Sequence, residues 1–345
     1  MMRSAERQRS KHANSRLDRR DVLCAGAAAA FSLITPRPLT AADRLRVNIV
    51  NTSGNTNVVL AALLRQEGIF EQLGLDANIL HVSDGSKLIG SLLSGETDMC
   101  GLSGFGQVLP AIEKGAKLKI LAGGALLGLQ GILTKNPAIK TVKDLEGRTV
   151  GTGSPGALLH QLVVALLRKR GIDEKKVKFV NVGSSPDVFR AIVAGTIDAG
   201  PCELWLGGRF GTHTLEDGRF YADLQEYTYQ ASYASDRAIA TKRDSIVRTL
   251  AAYRRLYQFL SETKSREPFL KAYAAVINKD NREDAEAQWQ FYYDHKPFAV
   301  DLVLSEQRVR YMQDLNVSLG VQKRVLPYDQ VCDMSLARDA VKLLG

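Results

Sequence analysis

The chain has 345 residues, of which 45% are apolar and 24% charged, and its mean hydropathy is −0.12. This composition is typical of an ordinary globular protein with room for two domains, and it excludes collagen-like, low-complexity and disordered architectures. Four cysteines in a chain of this length do not make a disulfide scaffold, and the lack of a C-x-x-C pair excludes a zinc or redox centre of that type.

More than half of the formal charge of +9 lies near the N-terminus, and the rest is spread along the chain. Residues 1–42 carry +5 of it, and the remaining residues carry +4 without a basic run. A DNA-binding domain gathers its Lys and Arg residues on one face. We therefore expect no nucleic-acid partner.

Residues 1–42 have the organisation of a bacterial export signal. A basic segment ends at Arg19-Arg20, and an apolar run of eleven residues follows from Cys24 to Ile34. The run is far shorter than the ~20 residues that span a bilayer, so it predicts a cleaved signal of the twin-arginine (Tat) type and a periplasmic mature protein. The alternative is a basic tail before a buried, Ala-rich helix.

Two similar units follow one another in the body of the chain. The segment ALLRQEGI at 62–69 recurs as ALLRKRGI at 165–172, and a set of apolar, glycine and aspartate positions recurs 100 residues later. The first unit predicts strands at 45–50, 77–82, 97–100 and 118–122, with helices at 56–68 and 86–94 and a further helix before the last strand. The second unit predicts strands at 149–151, 178–182 and 197–200, with helices at 157–170 and 186–194.

The last third of the chain is helical in pattern. Helices are predicted at 245–263, 283–295, 305–318 and 328–344. Strands that alternate with helices favour an α/β fold with mostly parallel sheets flanked by helices. We expect the chain to cross between two lobes at 126–131 and 233–239, and a ligand to lie beyond the carboxyl ends of the strands.

The candidate ligand-binding residues lie in loops at these strand ends. The first loop precedes a helix in the first unit, and its counterpart precedes the equivalent helix in the second. Free backbone N–H groups at a helix start favour an anion, although both loops are also compatible with simple N-capped turns. These residues are Ser53, Gly54, Asn55, Thr56, Ser154, Gly156 and Ala157.

Four further candidates follow the strands that end near Cys100 and Gly200. Ser103 and Gly104 follow the first of them, and Glu203 and Trp205 follow the second. Glu203 is a candidate to pair with a ligand amine, and the alternative is a solvated loop carboxylate. Trp205 is a candidate to stack on a ligand, and the alternative is packing in the core. Asp98 and Asp198 are predicted to be structural, bonding nearby backbone N–H groups.

Catalytic motifs are missing from the sequence. It contains no G-x-S-x-G elbow, no Walker loop, no dinucleotide-binding turn, and no pair of histidines at metal-binding spacing. We therefore expect a protein that is not an enzyme, with no catalytic residue, no metal and no cofactor.

Several short motifs resemble one family of transport proteins. The segments DGSKLI (84–89) and GETDMC (95–100), the echo GTIDA (195–199), and LEGRTVG (145–151) before GSPG (153–156) look like NitT/TauT-type periplasmic substrate-binding proteins of ABC importers, the SsuA/THI5-like and NMT1-like family. The resemblance implies a two-lobed type II periplasmic-binding-protein fold. Lobe I would comprise 43–127 and 237–345, and lobe II 128–236.

The resemblance also implies a function. A monomer would capture a small anionic or heterocyclic solute, such as a sulfonate, nitrate, taurine or carboxylate-like compound, and deliver it to an inner-membrane permease. The alternative is a thiamine-pyrimidine-precursor binding protein or a synthase-like enzyme on the same fold. Such enzymes need a cysteine-rich loop and iron-binding histidines, and the sequence offers no cysteine cluster.

Overall fold

A computed structural model describes residues 44–277 and 281–345 of the chain, so the predicted signal at 1–42 lies outside the described residues. The described part forms two five-stranded sheets. In chain order, its strands are β1 (Leu45–Thr52), β2 (Leu75–Val82), β3 (Met99–Ser103), β4 (Leu118–Gly123), β5 (Gln130–Thr134), β6 (Thr149–Thr152), β7 (Lys178–Asn181), β8 (Ala199–Glu203), β9 (His213–Arg219) and β10 (Ala231–Ser235).

The two sheets have equivalent topologies. The strand order is β2-β1-β3-β10-β4 in the first sheet and β7-β6-β8-β5-β9 in the second. In each sheet four strands share one direction, and the strand in fourth place runs against both of its neighbours. The predicted mostly parallel α/β architecture is therefore confirmed, and the duplication read from the sequence is a duplication of the sheet.

The chain passes between the two sheets twice, and an antiparallel strand follows each passage. β5 enters the second sheet directly after β4, and β10 returns to pair with β3 and β4 of the first. The return therefore precedes Ala231, so the crossing predicted at 233–239 is wrong. That segment contains the end of β10 and the start of a helix.

Helices cover both sheets. They are α1 (Asn55–Gln66), α2 (Ile69–Gln72), α3 (Gly85–Ser94), α4 (Val108–Glu113), α5 (Leu158–Lys169), α6 (Ser185–Ala194), α7 (Phe220–Asp223), α8 (Asp236–Leu260), α9 (Arg266–Val276), α10 (Arg282–His295), α11 (Glu306–Ser318), α12 (Tyr328–Val331) and α13 (Ser335–Leu344). α8 begins nine residues before its predicted start, and the helix predicted at 328–344 is two helices. No helix within the described residues is long and apolar enough to cross a membrane.

The equivalent helices α3 and α6 show how local sequence sets the boundaries. A carboxylate closes the first turn of each: Asp84 accepts a hydrogen bond from the Lys87 N–H at 3.0 Å, and Asp187 completes a capping box with Ser184. Each helix then ends at a glycine in the left-handed region, Gly95 at φ 80° and Gly195 at φ 73°. These signals explain why both helices were predictable to within a residue.

Asp98 and Asp198 occupy equivalent structural positions, as predicted. Asp98 Oδ2 accepts from the Asn48 N–H of β1, and Asp198 Oδ2 accepts from the Thr149 N–H of β6, each at 2.8 Å. The backbone N–H of each aspartate donates back to the carbonyl of the same partner. Each aspartate thus anchors an inner strand of its sheet, Asp98 near the middle of β1 and Asp198 at the start of β6.

Replacing Asp198 by alanine is expected to lower the free energy of unfolding by about 2 kcal/mol, because the Thr149 N–H loses a charged acceptor. Asp98→Ala should cost more, since Asp98 also forms an ion pair with Lys242. Urea unfolding measures both values. The exposed Asp76→Ala is the control, with an expected change within about 0.5 kcal/mol, and equal losses in all three variants would contradict the structural role.

Candidate functional site: a cavity between the two sheets

A cavity of about 440 Å³ lies between the two sheets. Its walls are loops that follow the carboxyl ends of strands in both sheets, and the starts of α1, α3, α5 and α6 point into it. Ligands bind at such strand ends in open α/β sheets, and the volume lies within the range of small-molecule sites. The cavity therefore coincides with the position at which the sequence predicted a ligand.

The two duplicated loops line opposite walls of this cavity. Ser53, Gly54 and Thr56 contribute from the start of α1, and Ser154 and Ala157 contribute from the start of α5. Neither helix has a side chain that caps its first turn, since the N-cap residues are Gly54 and Ala157. Both helix starts therefore present N–H groups to a ligand acceptor, as the helix dipole favours.

The other two helix starts at the cavity are already occupied. Asp84 caps α3, and hydrogen bonding from the Lys87 N–H lowers the pKa of its carboxyl. Burial acts to raise the pKa of Asp187 on α6, but hydrogen bonds from Ser184 and the ion pair with Arg190 together leave that pKa lowered. Both carboxylates therefore stay charged near neutral pH at the cavity wall.

Glu203 is the deeply buried charged group of the site. It lies at the end of β8, lines the cavity, and is 3% exposed. The Ser185 hydroxyl donates to its Oε2, and Gln130 faces it as its pairing partner on β5. Burial raises the pKa of Glu203 even though both neighbours stabilise the ionised form.

Two glutamines that the sequence did not indicate also line the cavity. Gln130 is 2% exposed and Gln230 is 3% exposed, and the Oε1 atom of each lacks a hydrogen-bond partner among the described residues. Tyr229 lies beside Gln230 on the same wall. Gln130 begins β5 and Gln230 directly precedes β10, and the sequence predicted neither strand.

Four predicted site residues do not line the cavity. The Asn55 side chain and Trp205 lie outside its lining, and Gly156 faces Val321, with a φ of 76° that explains the glycine. Ser103 is fully buried, and its hydroxyl accepts from the Thr52 N–H at 2.9 Å. Ser103 therefore supports the first loop rather than contacting the cavity.

Gly104 does line the cavity and also marks a close approach between the two halves of the molecule. A Cβ built at Gly104 would lie 3.0 Å from the Leu158 Cβ on α5, which is tighter than an ordinary van der Waals contact. The loop after β3 therefore approaches α5 at a point where only glycine fits without displacement.

Among the residues that the structure describes, the charged ones that line the cavity are all acidic. No group of three His, Cys, Asp or Glu side chains suited to a metal occurs within 44–277 and 281–345. Cys100, Cys202 and Cys332 are buried free thiols, and burial raises the pKa of each. The thiolate form that acts as a nucleophile is thus disfavoured at all three.

Residues 55–264, more than half of the chain, match the family model described as NMT1/THI5 like. A comparison with curated proteins gave no match. Among solved structures, the chain is similar to the alkanesulfonate-binding protein SsuA from Xanthomonas axonopodis pv. citri bound to MOPS. The TM-score is 0.69 at 20% identity, over 83% of this chain and 97% of that one.

Two further structures extend the comparison. The periplasmic nitrate-binding protein NrtA from Synechocystis PCC 6803 gives a TM-score of 0.70 at 12% identity, over 88% of this chain and 89% of that one. The desulfurization enzyme DSZB gives a TM-score of 0.61 at 14% identity, over 87% of this chain and 100% of that one. The predicted periplasmic-binding-protein fold and the resemblance to NitT/TauT-type proteins are therefore confirmed, and the chain belongs to the NMT1/THI5-like family.

Proposed function

We propose that the chain is the solute-binding component of an ABC importer, which captures one small polar organic solute between its two sheets and delivers it to an inner-membrane permease. The observation that carries this proposal is the cavity lined by the duplicated loops of both sheets. Binding proteins for an alkanesulfonate and for nitrate share the fold and support it.

Capture requires the two halves to close on the solute. In this proposal lobe II extends from 128 to the segment between β9 and β10, and lobe I comprises the residues before and after it. The lobes rotate about the two crossing segments, as in hinge closure. Arg209, in the loop between β8 and β9, forms an ion pair with Asp284 of α10 at 2.7 Å, and such contacts between lobes would hold the closed form.

The proposed site of action is the periplasm, reached through the predicted twin-arginine signal. Replacing Arg19 and Arg20 with lysine should leave unprocessed precursor in the cytoplasm, because the paired arginines are the recognised feature. The matched control replaces Arg7 and Arg9 with lysine, which keeps the same charge elsewhere in the segment. Immunoblots of cell fractions provide the measurement, and equal periplasmic yield from both double variants would contradict a Tat signal.

We propose a binding role without catalysis, as a monomer. An enzyme on a related fold, DSZB, makes turnover the rival function. The buried, protonated thiols and the lack of a metal-binding cluster in the described ranges support binding. A bound solute should therefore be recovered chemically unchanged, and a changed product mass would favour an enzyme.

A thermal-shift screen of sulfonates, nitrate, carboxylates and aminopyrimidines tests the proposed function. A compound at 100 times its Kd should stabilise the mature protein by about 2.7 kcal/mol. Gly104→Val should abolish that stabilisation, because its side chain would push the loop after β3 away from Leu158 and hold the lobes apart.

The matched control for this variant is Gly90→Val. Gly90 lies exposed on α3, where an added Cβ meets nothing within 4 Å. Its solute-dependent stabilisation should equal that of the unsubstituted protein. Equal stabilisation of the Gly104 variant would place the binding site outside this cavity.

A further inference from the structure

We infer that the solute carries a hydrogen-bond-donating nitrogen group, an amine, an amidine or the amino edge of a heterocycle, and that Glu203, Gln130 and Gln230 bind this group. The inference rests on the proposed function, since it concerns the same cavity. Each of the three residues is at least nine-tenths buried, and each lines the cavity.

The orientation of the Gln230 amide follows from its hydrogen-bond network. Asn57 Nδ2 donates to the Thr52 carbonyl oxygen at 3.0 Å, and a carbonyl can only accept. The Asn57 Oδ1 atom must therefore face Gln230, which donates to it through Nε2 at 3.2 Å. This leaves the Gln230 Oε1 atom as the free group, an acceptor without a partner among the described residues.

Gln130 presents a second acceptor. It pairs with Glu203 across β5 and β8, and its amide N–H group faces the Glu203 carboxylate. Its Oε1 atom, like that of Gln230, is buried without a partner in the part of the chain that the structure describes. A buried acceptor without a donor is costly, and in this proposal the solute supplies a donor to each of the two.

The charge of the cavity agrees with a donor group on the solute. Asp84, Asp187 and Glu203 are its charged lining residues, and none of the described lining residues is Lys, Arg or His. Nitrate or a simple alkanesulfonate has no donor, and would bring a negative charge beside a buried carboxylate. The uncapped starts of α1 and α5 remain available for an acceptor or acidic group at another position of the same solute.

A protonated Glu203 that donates to an anion is the competing arrangement, and pH separates the two. The other titratable groups that face Glu203 are the phenols of Tyr229, Tyr273 and Tyr292 and the thiol of Cys202. Burial raises the pKa of all four, so they stay neutral near neutral pH. Binding of a cationic amine requires ionised Glu203 and should strengthen as the pH rises, whereas binding of an anion to protonated Glu203 should weaken.

Matched compound pairs test the inference by isothermal titration at several pH values. The amine members are taurine, β-alanine and 4-amino-2-methylpyrimidine, and their hydroxyl or methoxy counterparts are isethionate, 3-hydroxypropionate and 4-methoxy-2-methylpyrimidine; nitrate and ethanesulfonate complete the set. We expect at least one amine member to bind the mature protein tenfold or more tightly than its counterpart. That preference should shrink at least tenfold in Glu203→Gln.

A second variant guards against a folding defect in the first. Gln230→Met keeps the side-chain length but removes the free acceptor, and it should weaken the same amine member severalfold while its counterpart is unaffected. Hydroxyl or methoxy members or anions that bind as tightly as the amines, or an amine preference that survives in Glu203→Gln, would overturn the inference and leave the proposed function standing. Binding of no compound at all would count against both.

Discussion

Replacing Asn51 with alanine is expected to lower the free energy of unfolding by about 3 kcal/mol or more. Asn51 lies at the end of β1 and is 1% exposed. Its Oδ1 accepts from the Gly101 N–H at 3.1 Å and the Leu102 N–H at 2.9 Å, and its Nδ2 donates to the Tyr253 hydroxyl at 3.1 Å. Alanine would leave two buried N–H groups of β3 without an acceptor, at about 1 to 3 kcal/mol each.

The matched control for this variant is Tyr253→Phe. It removes one bond of the same network and leaves both N–H groups of β3 paired, so the expected loss is about 1 kcal/mol. Urea unfolding of the mature protein at one pH measures both variants. A loss in Asn51→Ala no larger than that in Tyr253→Phe would show that Asn51 does not hold β1 and β3 together at the cavity.

Replacing Glu203 with glutamine is expected to stabilise the solute-free protein near neutral pH. Burial raises the pKa of Glu203 in the folded state above its unfolded value of about 4.3. The folded state therefore binds the proton more tightly, so stability is full below the unfolded pKa and falls as the pH rises through the folded pKa. Each unit of pKa difference corresponds to about 1.4 kcal/mol of stability lost at high pH.

Melting temperatures across a pH series measure this effect. Glutamine does not titrate, so the variant should gain stability relative to the unsubstituted protein as the pH rises from about 4 to 8. The control is Glu216→Gln, at an exposed position on β9, whose curve should run parallel to that of the unsubstituted protein. A stability difference between Glu203→Gln and the unsubstituted protein that does not grow in favour of the variant as the pH rises would contradict a carboxyl group destabilised by burial.

Together with the amine preference, this result would indicate a trade between stability and binding. Glu203 costs the solute-free protein stability near neutral pH, and a bound amine removes that cost by pairing with the carboxylate. A variant that melts higher yet binds an amine more weakly would show both effects in one residue. Such destabilised groups are characteristic of functional sites.

The repeated units were predictable because their signals are local. Apolar spacing, a capping carboxylate and a terminal glycine defined α3 and α6, and the conserved spacing of Asp98 and Asp198 between the units indicated their shared structural role. The two duplicated loops at the starts of α1 and α5 were predictable for the same reason, since a strand end followed by a helix start is visible in sequence. Five residues of those two loops line the cavity.

The remaining elements depend on pairing between distant segments. β10 has the sequence ASYAS, with small residues and no β-branched run, and it forms a strand because β3 and β4 flank it. β5 likewise pairs antiparallel with β8 and β9, far along the chain. Because Gln130 and Gln230 reach the cavity only through these strands, no local pattern could place them there.

Native mass spectrometry of the mature protein, after incubation with a small-molecule extract of bacterial cells, tests capture in this cavity most directly. We expect one retained solute per chain, released with an unchanged mass, and no retention by Gly104→Val when Gly90→Val retains it fully. Retention that Gly104→Val does not diminish, or release of a chemically altered molecule, would contradict capture between the two sheets.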